Sequence, residues 1–247
     1  MRIFYTLNFV VYFFVFTFAS KLRNQALLTT KHIKIMAQFK VHNLIIVDAS
    51  GSMTSIYEQA LAGINETLST IREEAKKSDK IEQSVTVLSF ASGGEPLQYA
   101  YRNTIAEQTS PLTPNDYTLR GMTALYDAIG ISVTDLEKSK GKEDKVLVTI
   151  ITDGYENDSI EWDGASVKEL IDRLCKKGWV FTYIGANQDA ALEAGKIGVK
   201  NSLTFEATIE GTVNMFAFEK QSRQRWNKRV RLNENDFQNA YFSDDDK

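Results

Sequence analysis

The sequence predicts an α/β fold of the doubly wound type: a mostly parallel, open sheet with helices on both faces. Three observations carry this expectation. Residues 41–47 (VHNLIIV) and 145–152 (KVLVTIIT) are continuous apolar runs rather than alternating ones, the pattern of strands covered on both faces. Strand-like runs then alternate with segments of helical spacing from residue 41 to residue 229. Such alternation implies right-handed crossovers and parallel neighbours.

Each element follows in turn. Residues 41–47 form the first, central strand. Residues 56–77 place Ile56, Leu61, Ile64, Leu68 and Ile71 at helical spacing with charge opposite, a long amphipathic helix. Residues 84–90 and 97–101 read as strands, separated by a turn or short hairpin at Gly93-Gly94-Glu95-Pro96. After a polar loop over 104–120, residues 124–136 are helical and 145–152 form a second buried strand. Helix 167–177, strand 179–184, helix 189–196, strand 202–205 and helix 209–229 complete the series. No internal repeat is present.

The length of 247 residues, with 43% of them hydrophobic, suits one large core better than two. The organisation expected is an N-terminal extension over 1–40, one domain over 41–231 and an acidic, solvated tail over 232–247. Residues 3–19 (IFYTLNFVVYFFVFTFA) follow Arg2 and end in Thr17-Phe18-Ala19, which fits a signal-peptidase site. Met36 offers another reading, because AQFKVHNLIIVD runs from it straight into the first strand and leaves 1–35 upstream of a start. The density of Phe and Tyr in 3–19, where secretory segments favour Leu and Ala, favours the shorter protein. That chain implies a cytoplasmic location, and the longer one secretion or a membrane anchor. Membrane contact is expected only if 3–19 is retained.

Composition narrows the chemistry. With 29 basic and 32 acidic side chains, the net charge of −3 supplies no global field toward nucleic acid, and no nucleic-acid partner is expected. Cys175 stands alone, and His32 and His42 are the two imidazoles, so cysteine or histidine metal cages are excluded. A hard-cation site built from oxygen ligands remains open.

In a doubly wound sheet, ligands sit beyond the carboxyl ends of the strands, where strand order reverses. Three segments fall there: Asp48-Ala49-Ser50-Gly51-Ser52-Met53 after the central strand, Gly121-Met122-Thr123-Ala124 at a helix start, and Thr152-Asp153-Gly154 after the second buried strand. They offer two carboxylates, Asp48 and Asp153, and three hydroxyls, Ser50, Ser52 and Thr123. Such donors suit Mg²⁺ or Mn²⁺ rather than zinc or copper. Two carboxylates at most neutralise the ion, so it can still accept one more anionic oxygen from outside. Taken singly, each segment also reads as a helix cap or a turn. Three caps that match one metal site in chain order form an improbable coincidence.

These residues resemble von Willebrand factor A domains. DASGSM is similar to the Asp-x-Ser-x-Ser signature of that family's metal-ion-dependent adhesion site, and Thr123 and Asp153 match its two remaining elements. GMTALYDAIG and TYIGANQDA are similar to small, stand-alone bacterial members. The resemblance spans about 43–205. It implies the doubly wound fold already inferred, and a partner protein's Asp or Glu completing the coordination of the ion. It also implies that Asp48, Ser50 and Ser52 hold the ion from the first loop, Thr123 from the second and Asp153 from the third, directly or through water.

A non-catalytic, metal-dependent protein-binding module is therefore expected, with a metal-dependent phosphoester hydrolase as the alternative. His42 lies at the far end of its strand from Asp48, on the order of 20 Å away at about 3.3 Å per residue, and cannot act there as a base. Ser50 stands where a haloacid-dehalogenase-like phosphotransferase needs a second Asp, and no G-x-x-x-x-G-K-[ST] loop is present. Asp127 reads as a structural partner rather than a ligand. The basic run Lys220, Arg223, Arg225, Lys228, Arg229 and Arg231 reads as a solvated helix face. Asn187 and Asp189 read as a helix start, Cys175 as a small core residue, and the 104–120 loop as the seat of partner specificity.

Overall fold

The computed structural model describes residues 39–93, 96–187, 189–234 and 240–242. These lie in one unit of the chain, Ala37–Lys247. The proposed signal or anchor segment over 3–19, the start at Met36 and the acidic residues 243–247 lie outside the described residues. Among the described residues, no helix is long and apolar enough to cross a membrane.

Six strands form one sheet in the order β3-β2-β1-β4-β5-β6: β1 (Phe39–Asp48), β2 (Ile81–Phe90), β3 (Leu97–Ile105), β4 (Lys145–Thr152), β5 (Val180–Ala186) and β6 (Asn201–Phe205). All neighbours are parallel except β2 and β3, whose antiparallel pairing fits the short connection between them. Strand order reverses between β1 and β4, which run side by side from Val41↔Lys145 to Val47↔Ile151. That register puts Asp48 and Asp153 at adjacent carboxyl ends, at the crevice where this sheet class binds ligands.

Five helices cover the sheet: α1 (Tyr57–Ala75), α2 (Leu125–Ser139), α3 (Gly164–Cys175), α4 (Ala190–Lys196) and α5 (Ile209–Arg231). The period of two along β1 divides the core. Leu44 and Ile46 pack with Ile129, Val133, Val167 and Ala190 of α2, α3 and α4, while Ile45 and Val47 pack with Ile64 and Leu68 of α1 and Met215 and Phe216 of α5. The continuous apolar reading of β1 and β4 follows directly from this two-sided cover. The first helix differs from expectation at its start, where a 3-10 turn, Gly51–Ile56, precedes α1 and carries Ser52 on the surface.

Two expectations fail at particular residues. Arg223 is not on a solvated face: it is 0% exposed and bonds Glu219 on its own helix, Asn43 Oδ1 on β1 (2.7 Å) and Thr149 Oγ1 on β4 (2.8 Å). The 232–247 segment is not wholly solvated either. Tyr241 is buried, with its hydroxyl 3.0 Å from Glu219 Oε1 and its N–H donated to Asn201 Oδ1.

Candidate metal centre

Backbone bonds fix the first loop before any side chain chemistry is considered. The Ala49 N–H donates to Phe90 O (2.8 Å), the Arg120 N–H to Ala49 O (2.7 Å), and the buried Tyr117 hydroxyl to Asp48 O (2.6 Å). The second loop is held by Ser92, whose N–H bonds Met122 O and whose hydroxyl accepts the Met122 N–H, both at 2.8 Å. Gly121 permits this approach, since its φ is +49° and a Cβ there would stand 1.9 Å from Ser92 O. The third loop is tied to the second through Asn157, which accepts the Thr123 N–H (2.9 Å) and donates its own N–H to Thr123 O (3.1 Å).

The five residues singled out from the sequence come together. Asp48 Oδ1 accepts the Ser50 N–H (2.7 Å), Ser50 Oγ lies 3.0 Å from Ser52 Oγ, and the Ser52 hydroxyl donates to Asp153 Oδ1 (2.6 Å). Gly154 shows how the remaining oxygens converge. A Cβ on this glycine would sit 2.9 Å from Thr123 Oγ1, 3.6 Å from Asp48 Oδ2 and 3.7 Å from Ser52 Oγ. Three oxygens, two from the first loop and one from the second, thus surround one small space beside the third, kept open because residue 154 has no side chain. Capping does not account for the Ser50 hydroxyl, because Ser50, at the N-cap of the 3-10 turn, makes no side-chain cap bond.

Electrostatics favours a cation at this point. Asp48 is 0% exposed, and neither it nor Asp153 forms an ion pair among the described residues. Burial raises the Asp48 carboxyl above its ordinary range, and the Asp153 charge adds to the rise against the bonds from Thr152 and Ser50. Burial also raises Asp153, opposed by the Ser52 hydroxyl, and the Tyr117 hydroxyl is pushed well up by burial and then by both carboxylates. Two adjacent carboxylates withdrawn from water without a basic partner are costly unless a cation joins them. Ser52 is exposed and Asp153 half-buried, so the space opens to solvent on the side away from the core. Among the described residues, no group of three or more His, Cys, Asp or Glu could hold a metal, so a cation at this point would draw on hydroxyls as well as carboxylates.

Thr152 was not singled out as a site residue. Its hydroxyl donates to Asp48 Oδ2 (2.6 Å), orienting the carboxylate from β4. Its place before Asp153 on a strand end was the available signal. Asp127 is structural, as expected, its carboxylate accepting the N–H groups of Ile160, Glu161 and Trp162. Asp189 caps α4 through the Leu192 N–H, and Cys175 is half-buried against the core. In the 104–120 loop, Leu112 and Tyr117 are buried, leaving residues such as Asp116 exposed. At the opposite end of β1, His42 Nδ1 lies 2.8 Å from Ser84 Oγ and Nε2 3.0 Å from Asp144 Oδ2. This serine–histidine–aspartate set has its serine and histidine fully enclosed and is remote from Asp48.

Fold and site together define an α/β domain with clustered oxygen donors at its topological switch point. The model of the von Willebrand factor type A domain matches residues 44–221, and the chain belongs to that family, whose members often mediate metal-dependent protein interactions. No curated protein sequence matches the chain. Among solved structures, the fold is similar to the pilus adhesin SpaC of Lactobacillus rhamnosus GG (TM-score 0.54, 13% identity, 75% of this chain and 30% of that one). It is also similar to the PilB minor pilin of Streptococcus sanguinis (0.52, 14%, 76% and 62%). Proximal thread matrix protein 1 from the mussel byssus matches at 0.50 and 13%, over 74% of this chain and 45% of that one. The chain therefore spans less than two thirds of each of these proteins.

Proposed function

We propose that this protein is a non-catalytic binding module that captures an acidic residue of a partner protein through a divalent cation, Mg²⁺ or Mn²⁺. The single observation that supports it most is the convergence of Thr123 Oγ1, Asp48 Oδ2 and Ser52 Oγ on the space beside Gly154. Asp48 and Asp153 supply the negative charge, while Ser50, Ser52 and Thr123 supply neutral oxygens that leave the charge of the ion largely available. A bound divalent cation supplies a positive centre with a coordination place for an external carboxylate. Thr152 and the Ser50 N–H hold the Asp48 carboxylate in position, and the exposed side of Ser52 leaves the approach clear. A water-activating role needs a base within reach, and His42 is engaged at the other end of the sheet with Ser84 and Asp144. Carriage of adhesin and pilin domains on the same fold is in keeping with a binding role.

The test is protein capture by immobilised wild type and Asp48→Ala, each in Mg²⁺ and in chelator. Partners retained by the wild type in Mg²⁺ alone are expected. An identical set captured in chelator, or Mg²⁺-dependent phosphate release from a generic ester that Asp48→Ala abolishes, would overturn the reading.

A further inference from the structure

The surface around the candidate centre gathers large apolar side chains. Met122, Tyr155 and Ile160 are 51%, 56% and 91% exposed. Met122 adjoins Thr123, Tyr155 adjoins Gly154, and the Ile160 N–H is anchored on Asp127 in the first turn of α2. Single apolar residues in water need no explanation, but three on the two segments that also carry Thr123 and Asp153 are available to a ligand of the centre. The third segment is acidic as well. Glu156 is engaged by the N–H groups of Tyr126, Asp158 and Ser159 and by the Ser159 hydroxyl. Asp158 and Glu161 form no ion pair among the described residues, and Glu161 is exposed.

This combination restricts what fits. One carboxylate can be drawn to a cation held by Asp48 and Asp153, but a second beside it faces the segment that also carries Asp158 and Glu161, whose charges repel it. Like charges brought together at an interface are strongly disfavoured. Apolar neighbours, by contrast, find Met122, Tyr155 and Ile160 uncovered. We infer that the partner segment for this face carries a single acidic side chain flanked by apolar residues that pack on Met122, Tyr155 and Ile160, rather than an acidic run. The inference rests on the metal-dependent reading above and adds the character of the partner.

A displayed peptide library with a fixed central aspartate and randomised flanks tests it. The library is selected on the full chain in Mg²⁺ and in chelator, using wild type, Asp48→Ala and the triple variant Met122→Ala, Tyr155→Ala, Ile160→Ala. Because these three side chains are exposed, the triple variant is expected to melt with the wild type. Wild type is expected to enrich apolar residues in the flanks and deplete Asp and Glu there. The triple variant is expected to keep Mg²⁺-dependent capture, lose the apolar enrichment and bind the selected peptides at least about tenfold more weakly, as for loss of an apolar hot spot. Mg²⁺-dependent capture with polar or acidic flanks, or an unchanged profile in the triple variant, overturns the inference and leaves the metal reading standing. Capture indifferent to chelator and to Asp48→Ala overturns that reading and this inference with it.

Discussion

Replacing Asp48 with asparagine should reverse its effect on stability according to whether a divalent ion is present. The Asp48 side chain is fully buried, shares its surroundings with Asp153 and has no basic partner, so without metal its charge opposes folding. Asparagine keeps the shape while removing the charge: its oxygen can accept the Ser50 N–H and its NH2 donate to Thr152 Oγ1, whose own hydroxyl then donates to Gly154 O. In chelator the variant is therefore expected to melt at or above the wild-type temperature. In Mg²⁺ the wild type gains RT ln(1 + [Mg²⁺]/Kd), about 2.7 kcal/mol at a hundredfold excess over Kd. For a domain of this size that raises Tm by roughly 5–10 °C. The variant lacks one of the two carboxylates and should gain little. Thermal melts of both proteins in chelator and in millimolar MgCl₂ read this directly. A wild-type midpoint indifferent to Mg²⁺, or an equal gain by the variant, would refute the reasoning.

Three further outcomes follow from the same structure. Gly154→Ala places a methyl 2.9 Å from Thr123 Oγ1; titration calorimetry should show Mg²⁺ binding weakened at least about tenfold, and denaturant unfolding a loss of about 1–3 kcal/mol from overpacking. Burial lowers the pKa of His42 below its ordinary 6.5, outweighing the bond and charge of Asp144. The unfolded chain then binds the extra proton first, so stability should fall as pH drops below 6.5, and the wild type should lose more than His42→Gln in melts between pH 7 and 5. Arg223→Met leaves Glu219 buried without its cation and should cost about 3–5 kcal/mol in urea unfolding, whereas Arg223→Met with Glu219→Leu should recover much of that loss.

The order of the eleven α-helices and strands among the described residues could be read from the sequence because two-sided burial writes long apolar runs at β1 and β4, and one-sided burial writes the 3.6-residue spacing of the helices. The clustering of the candidate donors was legible for a related reason: Asp48, Thr123 and Asp153 each sit where a strand or loop meets a helix-bearing connection, and the sheet order brings those ends together. What escaped depends on pairing across the fold. Arg223 reads as surface charge by type, yet it lies on the stripe Met215, Glu219, Ser222, Trp226 and Val230, and that spacing placed it in the core. Its burial is tolerable only because Glu219, Asn43 and Thr149 meet it there, and no local pattern announces partners that far apart. Tyr241 was obscured by its acidic neighbours, and the opening beside Gly154 by the frequency of Asp-Gly in ordinary turns.

A crystal structure grown in Mn²⁺, with its anomalous difference map, tests the central claim most directly. One strong peak is expected in the space beside Gly154, bonded directly or through water to Asp48, Ser50, Ser52, Thr123 and Asp153. An empty space there with Mn²⁺ bound elsewhere, or those five side chains turned away from a shared ion, would contradict it.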